Sequence, residues 1–307
     1  MIGLSILTAL AATTLTAPGP RGPLEGTLID AGKHAPVAII IPGSGPTDRD
    51  GNNPMGVTAA SYRLLAEALA QRGVSTIRTD KRGMFGSKAA IPDANKVTIA
   101  DYAADAHAWA KVARRATGAR CVWLIGHSEG GLIALKAGQN TDDLCGIVTV
   151  AGPGRRLGTV MRQQLQANPA NAPILTPALH AIDELEAGRL VDAAALPAPL
   201  QPLFNPSIQP FVMDLFSYTP TALATSLKLP LLVVNGDQDI QVTVDDARAL
   251  ATAQPKATLV VAKGVTHTLK IVDGEGRAAN LATYADASKP VSPVVADAIA
   301  SFLKAKR

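Results

Sequence analysis

Cys121-Val122-Trp123-Leu124-Ile125-Gly126-His127-Ser128-Glu129-Gly130-Gly131 joins a solidly apolar run to a serine framed by glycines. An apolar run of this length without alternation suits a strand buried on both faces of a parallel sheet. Residues 131–139 that follow read as a helix. Between them, Gly126 to Gly130 fits G-x-S-x-G, whose glycines permit a sharp strand-to-helix turn and lift the Ser128 hydroxyl above the sheet. The helix N-terminus beneath that hydroxyl favours negative charge developing there. Ser128 is therefore a candidate nucleophile rather than an incidental turn residue.

Working outward, similar runs occur at residues 24–31, 37–41, 74–79, 145–150, 231–235 and 258–262. Helical periodicity falls between them, at residues 59–72, 98–116 and 292–304. Strands alternating with helices imply an α/β fold with a mainly parallel, doubly wound sheet. Residues 155–226 break the alternation: they carry helix-like pieces separated by prolines and no convincing strand. A structureless loop of that length is improbable inside a compact domain, so the segment reads as an inserted helical cap, or lid. The expected organisation is a core of residues 24–154 and 227–307, the cap at 155–226, and residues 1–23 as an N-terminal tail or signal peptide.

A serine hydroxyl is a weak nucleophile without a base, and the base needs an acid to orient it. Of the five histidines, His267 lies just past the last strand, at the edge where a doubly wound sheet builds its site. His34, His107, His127 and His180 lie in a turn, in a helix, beside the nucleophile and in the cap. Gly236-Asp237-Gln238-Asp239 follows the strand at 231–235 and offers two acids, of which Asp239 is preferred and Asp237 reads as a turn-former. Pro42-Gly43-Ser44-Gly45-Pro46 follows the strand at 37–41, and its glycines let backbone N–H groups approach a substrate. The Ser44 N–H, paired with that of Glu129, is the expected oxyanion hole, with Gly45 the alternative donor.

Four segments together resemble the α/β-hydrolase superfamily, and within it the bacterial esterases and lipases related to serine aminopeptidases and dienelactone hydrolases. They are residues 42–51, Asp80-Lys81-Arg82-Gly83-Met84-Phe85-Gly86-Ser87, Gly126 to Gly131, and residues 236–242 with His267. The resemblance implies a lid after the sixth strand, and it implies Asp239 as the acid through the spacing G-x-x-D-x-x-V. It also implies that Asp80 and Arg82 hold loops together, whereas Asp48, Arg49 and Asp50 either brace the oxyanion loop or read substrate. Many members carry His-Gly where this chain has Pro42-Gly43. By the same resemblance Cys121 and Cys145 begin adjacent parallel strands, within disulfide reach of each other.

Composition narrows the function. Of 307 residues, 47% are hydrophobic, 18% charged and only 4% aromatic, and the net charge of +4 contains no long basic run. This argues against a nucleic-acid partner, and no apolar stretch is long enough for stable insertion in a membrane. Two cysteines are too few for a zinc site, and no metal or cofactor is expected. Residues 2–17 resemble a short signal segment with an Ala9-Leu10-Ala11 pattern but no Lys or Arg; a periplasmic or secreted protein is expected, or a cytoplasmic one if residues 1–17 are not a signal. The expected activity is a serine hydrolase cleaving small-molecule esters of small or medium acyl chains through an acyl-enzyme on Ser128. A peptidase or amidase is the alternative, with Glu129, Asp183, Glu184 or Glu186 anchoring a substrate amine; a non-catalytic binding protein is the other. Leu203, Phe204, Phe211, Leu215, Phe216 and Tyr218 are candidates for an acyl pocket in the cap.

Overall fold

The computed structural model describes residues 11–306. Eight strands form one sheet: β1 (Ala12–Pro18), β2 (Pro23–Ile29), β3 (Val37–Ile41), β4 (Ser75–Thr79), β5 (Val122–His127), β6 (Leu144–Val150), β7 (Leu231–Gly236) and β8 (Thr258–Ala262). Their spatial order is β1-β2-β4-β3-β5-β6-β7-β8. Strands β3 to β8 run parallel, while β1 and β2 add an antiparallel edge. The helices are α1 (Ser61–Gln71), α2 (Ile99–Thr117), α3 (Glu129–Ala137), α4 (Leu157–Gln166), α5 (Leu175–Glu186), α6 (Gln209–Ser217), α7 (Pro220–Ser226), α8 (Val244–Ala253), α9 (Gly276–Ala282) and α10 (Pro293–Ala305).

Strand β3 shows why the parallel strands are apolar throughout. Val37, Ile39 and Ile41 face one core, shared with α2 and α3, whereas Ala38 and Ile40 face the other, shared with α1 and α10. Side chains alternate across a strand, so a sheet covered on both sides needs apolar residues at every position.

The sheet begins earlier than expected. Residues 12–18, read from sequence as tail or signal, pair with β2 along its whole length, from Ala12↔Ile29 to Pro18↔Pro23, and Ala17 is buried. The antiparallel ladder holds this threonine-rich edge in place even though most of its side chains stay exposed. The N-terminal boundary of the core thus moves from residue 24 to 12. Most of the signal-like stretch, including Ala9 and Leu10, lies outside the described residues.

Cys121 and Cys145 form a disulfide with a Cα–Cα distance of 5.2 Å. The register between β5 and β6 slips at this point, from Val122↔Leu144 to Trp123↔Gly146, which leaves Cys145 as an extra residue beside Cys121.

Helices α4 to α7 fill the interval between β6 and β7, which are themselves neighbours in the sheet. The apolar underside of this segment, including Ala178 and Ile182 of α5, Phe204 of the turn before α6 and Phe216 of α6, belongs to the same core as α2 and α3. The entrance to this interval is fastened by Arg155, whose guanidinium donates to both carboxylate oxygens of the buried Asp246, at 2.9 and 2.5 Å. Among the described residues no helix is long and apolar enough to cross a membrane.

Candidate active site

The C-terminal ends of β3, β5, β7 and β8 open on one edge of the sheet and deliver residues 42–45, Ser128, Asp239 and His267 to the same place. Ser128 stands between β5 and α3 with φ 55° and ψ −124°, a backbone state that strains a residue with a Cβ and persists only where its surroundings over-determine it. They do so here. The Ser128 N–H is held by the Val150 carbonyl at 3.0 Å, and its own carbonyl accepts from Gly131 at 2.8 Å. A Cβ on Gly126 would sit 2.0 Å from the Gly130 carbonyl oxygen, and one on Gly130 would sit 2.4 Å from that of Ile41. Both glycines are needed for the turn to close.

His267 Nδ1 lies 2.8 Å from Asp239 Oδ2. The other carboxylate oxygen, Oδ1, accepts the N–H groups of Gln241 and Val242 at 2.8 and 3.0 Å, so the side chain is fixed from both ends and fully buried. Asp237 is placed elsewhere: it accepts from the Gly264 N–H at 2.6 Å and closes a turn between the β7 and β8 loops.

His127 is buried against this pair, its ring 4.7 Å from that of His267. The Gly43 N–H donates to the Tyr62 hydroxyl at 2.9 Å, which leaves the hydroxyl proton free for His127 Nδ1, also at 2.9 Å. His127 Nε2 then donates to the His267 carbonyl at 2.9 Å. This series of bonds assigns the proton of His127 to Nε2. Burial, and then the neighbouring His267, push the His127 pKa down from 6.5 to about 3. Burial raises that of the Tyr62 phenol, which keeps it a donor.

A folded-state pKa below the unfolded value means that the unfolded chain binds the extra proton first as pH falls. The stability tied to neutral His127 is complete above pH 6.5 and is lost progressively between 6.5 and about 3. The total is on the order of 5 kcal/mol. Urea-unfolding midpoints at pH 7, 5.5 and 4.5 are expected to fall accordingly, and His127→Gln to flatten the slope; an unchanged slope in the variant would show that other groups set it.

Ser44 lines the cleft and Gly45 does not. Glu129 carries the first N–H of α3, which no carbonyl of that helix can satisfy. Its side chain sits behind the cleft wall, 3.4 Å from Lys81 Nζ. The neighbouring charges are braces. Asp80 accepts the N–H groups of Arg49 and Gly86 and pairs with the Arg49 guanidinium. Arg82 grips Asp105 through two hydrogen bonds of 2.7 Å and also pairs with Asp101. Asp48 caps the turn at 50–52, and Asp50 pairs with Arg78. Asp48, Arg49 and Asp50 all lie off the cleft wall.

The cleft measures about 250 Å³, at the small end for ligand sites, which run from about 300 to 1,000 Å³. Ser128 and His267 share its wall with Leu157, Val160 and Met161 of α4 and with Leu215 and Phe216 of α6. Of the six residues anticipated for an acyl pocket, only Leu215 and Phe216 reach it. Phe204 is buried in the core, Phe211 packs on Tyr102, Tyr218 lies under Lys136, and Leu203 is surface. Asp and Glu are absent from the described wall. Glu129 pairs with Lys81, Asp183 and Glu186 with Arg162, and Glu184 with Arg189, so none of the four serves as a free amine anchor there. Tyr62, Gln164, Gln241 and Tyr284 are polar wall residues that the motifs do not point to. Tyr62 alone leaves a trace in the sequence, as a polar-tipped aromatic three residues before Leu65 on the buried stripe of α1.

The chain is similar to known proteins. The curated esterase EstD of Thermotoga maritima is 25% identical over 252 residues, covering 79% of this chain and 56% of its own length. The chain thus spans little more than half of that relative. Among solved structures, a thermophilic esterase from Thermogutta terrifontis covers 96% of this chain and 99% of its own, with 17% identity and a TM-score of 0.58. Est1E from Butyrivibrio proteoclasticus covers 95% and 98%, with 17% identity and a TM-score of 0.57. These likenesses extend the shared fold to nearly the whole chain. Residues 38–275, from within β3 to just beyond His267, match the Alpha/beta hydrolase family, and the chain belongs to that family.

Proposed function

We propose that the protein is a serine hydrolase that cleaves neutral carboxylic esters with small or medium acyl groups. One observation carries the reading: a serine held in a strained turn at a helix N-terminus shares a small cleft with a histidine whose far nitrogen is fixed by a buried aspartate. Ser128 Oγ attacks the ester carbonyl while His267 Nε2 takes its proton. Asp239 keeps the Nδ1 proton in place and stabilises the imidazolium. The tetrahedral oxyanion is received by the N–H groups of Ser44 and Glu129. Collapse expels the alcohol, protonated by His267, and leaves an acyl-enzyme. Water, activated by the same histidine, then releases the acid.

The cleft supports the choice of substrate. Its aliphatic wall from α4 and α6 suits an acyl chain, and its lack of carboxylates gives a substrate ammonium no partner, which favours an ester over an aminoacyl amide. Its volume of about 250 Å³ favours a small or medium acyl group over a long one. Helices α4 to α7 act as the lid in this reading. The Cys121–Cys145 disulfide supports an oxidising compartment, periplasmic or secreted.

The test is a fluorophosphonate probe, with the adduct located by mass spectrometry, beside panels of 4-nitrophenyl esters and aminoacyl 4-nitroanilides. The expected result is one label per chain on Ser128, with acetate to hexanoate esters cleaved far faster than the palmitate or any anilide. Folded protein that takes no label would replace the hydrolase with a ligand-binding protein. Preferential anilide cleavage would make it a peptidase.

A further inference from the structure

Lys81 and Glu129 form a buried ion pair directly behind the proposed oxyanion hole. Their side chains are 4% and 1% exposed, with Lys81 Nζ 3.4 Å from Glu129 Oε1. A buried pair of this kind is weak as a source of stability, because removing two charges from water offsets most of their attraction. Its partners suggest another purpose. Lys81 Nζ donates to the Gly43 carbonyl at 2.7 Å, its shortest polar contact, and lies 5.5 Å from the centre of the Tyr102 ring.

We propose that Lys81 is a positioning residue for the oxyanion hole, fixing the Gly43–Ser44 peptide so that the Ser44 N–H faces the reacting oxygen. The inference rests on the hydrolase reading above and deepens it. A trans peptide is planar, so its C=O and N–H point in opposite directions. Lys81 lies on the side of the loop away from the cleft, in a hollow shared with Pro42, Tyr102 and Trp109, whereas Gly43 and Ser44 line the cleft. Drawing the Gly43 carbonyl back to Lys81 therefore turns the Ser44 N–H forward.

The preceding peptide is pinned too, because the Gly43 N–H is taken by Tyr62. Both anchors act on Gly43, which has no Cβ and whose backbone therefore has little intrinsic preference against a flip of the peptide that follows it. A flip would present the Gly43 carbonyl, an acceptor, where the oxyanion forms. Glu129 completes the device: it balances the Lys81 charge and carries the second oxyanion N–H on its own backbone. Lys81, which follows β4, thus ties together the ends of β3 and β5 that supply the two donors, the first through its hydrogen bond to Gly43 and the second through the ion pair with Glu129.

The decisive variant is Lys81→Met combined with Glu129→Gln. It removes the carbonyl anchor without leaving a buried carboxylate unpaired, and Lys81→Met alone runs beside it. With 4-nitrophenyl acetate the expected result is a fall in kcat of about 10²-fold, the lower end of what losing a whole oxyanion donor does, with KM within threefold of the parent. A trifluoromethyl ketone, whose hemiketal oxygen occupies the same hole, is expected to lose affinity by the same factor as kcat/KM. A double variant that melts with the parent and keeps kcat within threefold would overturn the proposal, as would a loss confined to KM. Ser128→Ala serves as the reference. If it retains turnover, the hydrolase reading falls and takes this one with it; if it is inactive while the double variant is not, only the role of Lys81 fails.

Discussion

Asp239→Asn is expected to fold and melt close to the parent and to hydrolyse 4-nitrophenyl acetate about 10⁴-fold more slowly, the loss that a wrong tautomer causes in a Ser-His-Asp triad. The reason lies in the two backbone N–H groups, of Gln241 and Val242, that converge on Oδ1. An asparagine at this position keeps its oxygen on those donors and is forced to turn its amide NH₂ toward His267 Nδ1. Nδ1 must then accept rather than donate, the imidazole proton moves to Nε2, and no lone pair remains to take the Ser128 proton. Since geometry is preserved, the loss falls on kcat, with KM nearly unchanged. Activity within tenfold of the parent would mean that Asp239 is not the orienting acid.

The disulfide is expected to show the opposite pattern, stability without chemistry. Cys121 and Cys145 are 24 residues apart, and closing a loop of that length restricts the unfolded chain by roughly 3–4 kcal/mol. Cys121→Ser with Cys145→Ser is expected to lower the melting temperature by about 5 °C. The bond sits at the start of β5 and β6, whereas Ser128 follows the far end of β5, so kcat is expected to hold. A melting point unchanged by the double substitution would show that the bulged register between β5 and β6 is held by packing alone. A large fall in kcat would show that the two ends of β5 are mechanically coupled.

Ser128, Asp239 and His267 were legible in the sequence because each follows an apolar run that reads as a strand, and a parallel sheet gathers such ends on one edge. The structure places all three there and separates Asp239 from Asp237 by their partners. Tyr62 and Lys81 were not legible in these roles, for a shared reason. Each bonds a main-chain atom of Gly43, 19 and 38 residues away, and main-chain atoms leave no residue type to match. Strand β1 escaped because an edge strand with one buried side chain carries no apolar period, and threonine and alanine suit several conformations. The cap residues were misassigned for a different cause. Prolines at 197, 199, 202, 206 and 210 mark its breaks but leave the facing of each helix open, so Phe204 and Phe211 pack inward while Leu157, Val160 and Met161 line the cleft.

The pairing of β6 with β7 has a consequence for how such a protein diversifies. The two strands meet in register at Ile147↔Leu231, although α4 to α7 intervene in the chain. Loop-closure entropy grows only with the logarithm of length, so doubling that interval would cost about 0.6 kcal/mol. Segments of other lengths and shapes can thus be exchanged here by recombination at almost no thermodynamic penalty, provided they present an apolar underside and keep the Arg155–Asp246 fastening at their entrance. The α4 and α6 side of the cleft is thus open to replacement, while Ser128, Asp239 and His267 follow the ends of β5, β7 and β8, which the exchange never touches.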